Sequence, residues 1–156
     1  MTNKYSCICL SFVIILIDQI AKFFVRLKLK PSGHVTLIDN LLELTYAENK
    51  GAAFGIFSNA RWFFVIFTTI MMFCFIFFIF KKSGGDTIFY LSSSLIVGGG
   101  VSNLIDRIWL GYVIDYLELS FFSPICNFAD YCITFGAVLF ALSFAIVKRK
   151  TVERVS

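Results

Sequence analysis

Charge is scarce in this chain: only 15% of its 156 residues are Asp, Glu, Lys or Arg, against about 25% in soluble domains. Its two prolines and the want of any Pro-, Ser- or charge-rich stretch leave no linker to divide it. Residues 1–156 are therefore expected to form a single integral membrane domain, without internal repeats. The one histidine, His34, sits in a polar segment with no identifiable partner. The cysteines at 7, 9, 74, 126 and 132 contain no CxxC pair, and Cys7 and Cys9 fall on different sides of a helix. Such a set offers no metal site and reads as small apolar residues. No serine or cysteine is flanked by a base motif, which argues against a covalent nucleophile. The net charge of +4 is not gathered into a patch interleaved with aromatics, so nucleic acid is excluded as a partner. The basic tail suits anionic lipid headgroups instead.

What the chain does have is hydrocarbon. Hydrophobic residues make up 58% of it, 20 of them Phe, and the mean hydropathy is +0.83; this is the composition of an integral membrane protein. Apolar runs predict four membrane-spanning helices at about 5–25, 62–80, 87–109 and 127–147. The first resembles the start of a signal peptide, but it is too long, carries Asp18 and Lys22 and lacks a small-residue cleavage site, so a retained helix is expected. Residues 29–60 form the longest polar segment. Alternation at Val35, Leu37, Leu42, Leu44 and Tyr46 predicts short strands there, followed by a glycine-bounded turn from Asn49 to Gly55 in which Phe54 could dip into the bilayer. Ser92 to Ser94 and Gly98 to Gly100 make the third span narrow enough for close helix packing or for a substrate backbone. Gly111 breaks that helix, and 112–119 returns to an apolar rhythm. The Lys81-Lys82 connection and the dense tail at Lys148, Arg149, Lys150 and Arg154 place both termini in the cytoplasm, although Arg26, Lys28 and Lys30 argue the other way.

Against this background the polar residues between Gly98 and Asp130 stand out: Asn103, Asp106, Arg107, Asp115, Asn127 and Asp130. A charge in a bilayer costs roughly 2.5–3.5 kcal/mol on insertion scales, so each is a functional suspect. The third helix ends and the fourth begins on one membrane face, which gathers all six at that interface. Asp18 and Lys22, spaced to pair on one helical face, lie toward the same end and are open to two readings, a structural ion pair or part of the site. A conduit would spread ionisable groups through the membrane's depth; these collect at one end, which favours an interfacial pocket. Two close carboxylates can share a proton, one activating water while the other donates to a carbonyl oxygen. Asp106 beside Arg107 reads as a salt-bridged support. Asp130, one turn beyond Asn127, reads as an oriented carboxylate or as a contact with the helix dipole.

At these residues a resemblance emerges. DQxxK at Asp18, Gln19 and Lys22, NxGAAFG at 49–55, NLIDR at 103–107, GYVIDYL around Asp115 and NxAD at 127–130 together resemble the bacterial lipoprotein signal peptidase family, also called signal peptidase II. The motifs follow the family's order through most of the chain. Two positions depart from its pattern: Cys126, commonly Phe, and Gly55, often Ser. The resemblance implies a four-transmembrane-helix bundle with a small extracytoplasmic β-subdomain, in the bacterial inner membrane. It implies an aspartyl endopeptidase that cuts prolipoproteins before a diacylglyceryl-modified cysteine, without metal or cofactor and open to inhibition by globomycin. Asp115 and Asp130 match the family's catalytic pair. Asp18, Lys22, Asn49, Gly51, Asn103, Asp106, Arg107 and Asn127 match its support and substrate-positioning residues. From the residues alone, a small proton-coupled transporter or channel subunit and a non-catalytic assembly factor remain as rival readings.

Overall fold

The computed structural model describes residues 4–51, 60–82 and 84–153. The glycine-bounded turn expected from Asn49 to Gly55 falls largely on residues 52–55, outside the described residues. Four helices, α1 (Lys4–Ser32), α2 (Arg61–Lys81), α3 (Thr87–Trp109) and α4 (Phe128–Glu153), are joined by strands β1 (His34–Ile38), β2 (Leu42–Asn49), β3 (Val113–Leu119) and β4 (Phe122–Cys126). All four helices contain a stretch long and apolar enough to cross a membrane.

Helix α1 buries Cys7, Ser11, Ile14, Asp18, Lys22, Val25 and Leu29. Their three- and four-residue spacing draws a single stripe, and the opposite side, with Phe12, Phe23 and Phe24, is exposed. The helix runs to Ser32, seven residues past the predicted end at Val25. Arg26, Lys28 and Lys30 do not stop it, because long basic side chains keep their stems on apolar surface while the heads reach water. Gly33, at φ 87°, ends it by donating its N–H to the Leu29 carbonyl at 2.8 Å.

Helix α3 is the hub. Its N-cap Asp86 accepts the Phe89 N–H at 2.7 Å, and Gly111, at φ 86°, follows its C-terminal cap, as expected from sequence. The three consecutive glycines face three different helices. A Cβ on Gly98 would stand 2.8 Å from Ile14 of α1, one on Gly99 2.5 Å from the Ala129 carbonyl of α4, and one on Gly100 2.6 Å from Met72 Sδ of α2. Packing is therefore what the small residues serve.

The strands form one antiparallel sheet in the order β1-β2-β3-β4. Strands β1 and β2 fall where short strands are expected, and they pair as a hairpin whose turn holds Asn40, φ 57°. The third and fourth strands were not expected: 112–119 showed only an apolar rhythm, and β4 contains Pro124, which an edge strand tolerates. Register places Asp115 opposite Ala47 and Val113 opposite Asn49. Val25 and Leu29 of α1 bury against Ile114 and Tyr116 of β3, each such side chain contributing about 1.5–3 kcal/mol. That contact seats the sheet on α1 and carries Asp115 to the bundle's end.

Candidate active site

The start of α4 is built from its own polar residues. Asp130 donates its N–H to Asn127 Oδ1 at 2.9 Å, and Asn127 donates its N–H to Asp130 Oδ2 at 3.1 Å. This reciprocal capping box fixes the Asp130 carboxylate in the first turn, so both readings of that residue hold together. The next free donor, the Ala129 N–H, reaches across to Asp18 Oδ1 of α1 at 3.0 Å.

Asp115 enters from β3. Its Oδ2 accepts from Asn49 Nδ2 at 2.9 Å and its Oδ1 from Asn127 Nδ2 at 2.6 Å. Asp130 Oδ1 accepts from Asn103 Nδ2 at 2.8 Å. Asn127 thus touches both carboxylates, Asp115 through its side chain and Asp130 through its backbone. Burial, and after it the charge of Asp130, pushes the Asp115 carboxyl up to about 6, against the weaker pull of Asn49, Asn127 and Lys22. Such a group can hold or release a proton near neutral pH.

Beneath the pair, Lys22 uses all three of its hydrogens. It meets Asp18 Oδ2 at 2.7 Å, Asp106 Oδ2 at 2.9 Å and Asn103 Oδ1 at 2.8 Å. Asn103 Oδ1 also accepts from Asn127 Nδ2 at 3.2 Å. Anchored this way, the Asn103 amide presents its NH2 to Asp130. Lys22 is 1% exposed and Asp18 fully buried; charges so placed are tolerable only as a hydrogen-bonded set. The structural ion pair is thus formed, and Lys22 also reaches Asn103, whose amide contacts Asp130.

One partner differs from the sequence reading. Asp106 is salt-bridged to Lys22 rather than to its neighbour Arg107, and it also accepts the Ile114 N–H at 3.2 Å. Adjacent helical residues diverge by about 100°, so the i, i+1 pair does not face each other. Arg107 instead donates to the Gly51 carbonyl at 3.3 Å and lies 5.2 Å over the Phe64 ring. Gly51 donates its N–H to Asn49 Oδ1 at 3.0 Å, which orients the amide that serves Asp115.

Three participants had no role in the sequence reading, although Gln19 stands in the DQxxK motif. Gln19 Nε2 donates to Ser102 Oγ at 2.9 Å and to Asp106 Oδ1 at 3.0 Å, while Ser102 donates to Asp18 Oδ2 at 2.7 Å. Arg61 caps the end of α3 through the carbonyls of Arg107 and Ile108, at 2.9 and 2.6 Å. Gln19 could have been found as a long polar side chain inside an apolar run; Ser102 was hidden in a stripe of small residues. Among the described residues no group of three His, Cys, Asp or Glu is placed to hold a metal ion.

Four apolar helices, a small antiparallel sheet and a buried cluster of carboxylates at one end define a class, an integral membrane enzyme. The fold is similar to two solved structures titled as bacterial membrane enzymes. One has a TM-score of 0.83 at 28% identity over 93% of this chain and 89% of that one; the other has 0.80 at 29% over 89% and 92%. The profile described as signal peptidase (SPase) II matches residues 10–146. Proteins named lipoprotein signal peptidase are 40% identical in Halothermothrix orenii, over 83% of this chain and 88% of that one, and 32% identical in Symbiobacterium thermophilum, over 92% and 96%. The chain belongs to the signal peptidase II family of membrane peptidases.

Proposed function

We propose that this chain is an aspartyl endopeptidase of the bacterial inner membrane. It removes the signal peptide from diacylglyceryl-modified prolipoproteins, cutting before the lipidated cysteine. Family membership supports the substrate class, and the observation that carries the chemistry is the hydrogen-bonded pairing of Asp115 and Asp130 through Asn127.

In this reading the pair holds one proton. The ionised carboxylate takes a proton from water as the water oxygen attacks the scissile carbonyl carbon, and the protonated one donates to the carbonyl oxygen. As the C–N bond of the resulting diol breaks, the carboxyl that took the water proton gives it to the leaving amine, and the other carboxylate takes a diol hydroxyl proton as the new carbonyl forms, which restores the starting protonation of both. Asn49, Asn103 and Asn127 keep both carboxylates oriented, while Lys22 with Asp18 and Asp106 holds Asn103. Arg107 donates to the carbonyl of Gly51, and the two serve substrate positioning. The sheet and dyad face the extracytoplasmic side, with both termini in the cytoplasm. An apolar signal helix and acyl chains then stay in lipid while the scissile bond reaches the dyad, and a globomycin-type inhibitor occupies the same place.

The test is to incubate the purified protein in detergent with a prolipoprotein carrying or lacking the diacylglyceryl group and to read the products by mass spectrometry. The reading expects a product beginning at the lipidated cysteine and little cleavage of the unlipidated precursor. Equal cleavage of both, or a cut elsewhere, contradicts it.

A further inference from the structure

A cavity that neither Asp115 nor Asp130 lines opens between α1 and α3. It has a volume of about 230 Å³ and is bordered by Phe23, Arg26 and Trp109. A second hollow of about 340 Å³ shares Phe23 and Arg26 with it and reaches Lys30. The three cations here differ in one respect. Lys22 is committed to its three partners, and Lys30 is paired with Glu48 at 2.8 Å. Arg26 makes no ion pair or hydrogen bond among the described residues.

The position of Arg26 matters as much as its want of a partner. It is the first charge after the apolar run expected at 5–25, the position in a spanning helix where basic residues meet headgroups. Trp109, 77% exposed, is an aromatic of the kind that settles at that boundary, and Phe23, 61% exposed, adds apolar surface beside Arg26. One uncompensated positive charge, a hollow and an apolar helix face leading toward the bilayer centre complement a lipid with one net negative charge.

We propose that this hollow binds an anionic phospholipid, its phosphodiester against Arg26 and its glycerol backbone beside Phe23 and Trp109. The acyl chains follow the exposed face of α1 past Phe23. The inference rests on the membrane-spanning fold, not on the peptidase chemistry.

Trp62 and Trp109 are the only indoles, so a Trp62→Phe background makes Trp109 a single reporter. In mixed micelles, brominated phosphatidylglycerol is expected to quench Trp109 at about five-fold lower mole fraction than brominated phosphatidylcholine, the ratio one basic residue gives near an anionic surface. The preference disappears in Arg26→Gln and persists in Arg26→Lys and in Lys28→Gln, while millimolar inorganic phosphate leaves the quenching unchanged. An unchanged melting temperature in detergent shows that Arg26→Gln is folded. Equal quenching by the two lipids, a preference that survives Arg26→Gln, or one that Lys28→Gln abolishes equally, overturns the proposal. Displacement by inorganic phosphate also overturns it, reassigning the site to a free ion.

Discussion

Helices α2 and α3 are of similar length, yet the more apolar one is the less buried. In its most apolar window α2 has a mean hydropathy of 2.8 and is 6% buried; α3 has 1.5 and is 56% buried. In water the order would be reversed. Lipid is as apolar as Phe, so nothing drives the α2 side chains Phe63, Phe67 and Phe73 inward. Backbones approach where side chains are small, and polar groups turn inward where they find partners. The glycines and serines of α3 supply the first condition, and Asn103 and Asp106 the second. The same helix thus packs the bundle and supports the site.

This contrast can be broken in graded steps. Removing the cation in Lys22→Met leaves Asp18 and Asp106 buried without it, and breaking such a set costs about 3–5 kcal/mol. The variant is expected to unfold at a much lower temperature in detergent and to lose cleavage; a melting temperature near wild type would show that the set is not held as drawn.

Gly99→Ala comes next. Its Cβ would meet the backbone carbonyl of Ala129 at 2.5 Å, so the start of α4 must shift, at about 1–3 kcal/mol. Asp130 shifts with it, and cleavage is expected to fall by about ten-fold or more. Gly100→Ala meets only the flexible end of Met72 and should cost well under half as much. Equal losses in the two variants, compared by melting temperature and rate, would remove the link between packing and site.

A subtler effect concerns Asp115, whose carboxyl titrates at about 6 in the folded protein rather than 3.8. The folded state binds that proton more tightly than the unfolded chain does. Its contribution is therefore complete below pH 4 and is lost as pH rises through 6, where the deficit reaches at most about 3 kcal/mol. Asp115→Asn should melt higher than wild type above pH 6 and close to it below pH 4. A constant difference across that range would contradict the assignment. Smallest of all, Phe73→Ala on the exposed face of α2 should change stability by less than about 0.5 kcal/mol; a core-sized loss would end the contrast between the helices.

The sequence made the spans legible because apolar runs of bilayer length have few other uses. It made strands β1 and β2 legible because polar and apolar residues alternate there in the sequence, at Val35, Leu37, Leu42, Leu44 and Tyr46. Strand β3 was not legible: Val113, Ile114, Asp115 and Tyr116 are all buried, so no polar-apolar rhythm marks it. The end of α1 was misplaced because charge was read as a boundary, whereas Arg26 and Lys28 extend from a helix that Gly33 terminates. In the site, the motifs named the residues, but neither Asp106 with Lys22 nor Asp18 with Ala129 could be read from spacing. Both contacts join helices far apart in the chain and exist only once α1 has packed against α3 and α4.

The central claim is that Asp115 and Asp130 do the chemistry while the residues around them hold it in place. The most direct measurement is single-turnover cleavage of a diacylglyceryl-modified prolipoprotein by wild type, Asp115→Asn and Asp130→Asn, with substrate binding and melting temperature measured on the same samples. The account predicts that each variant folds and binds substrate yet loses cleavage by at least about a thousand-fold. Substantial cleavage surviving either change would take that carboxylate out of the reaction and leave it a part of the support.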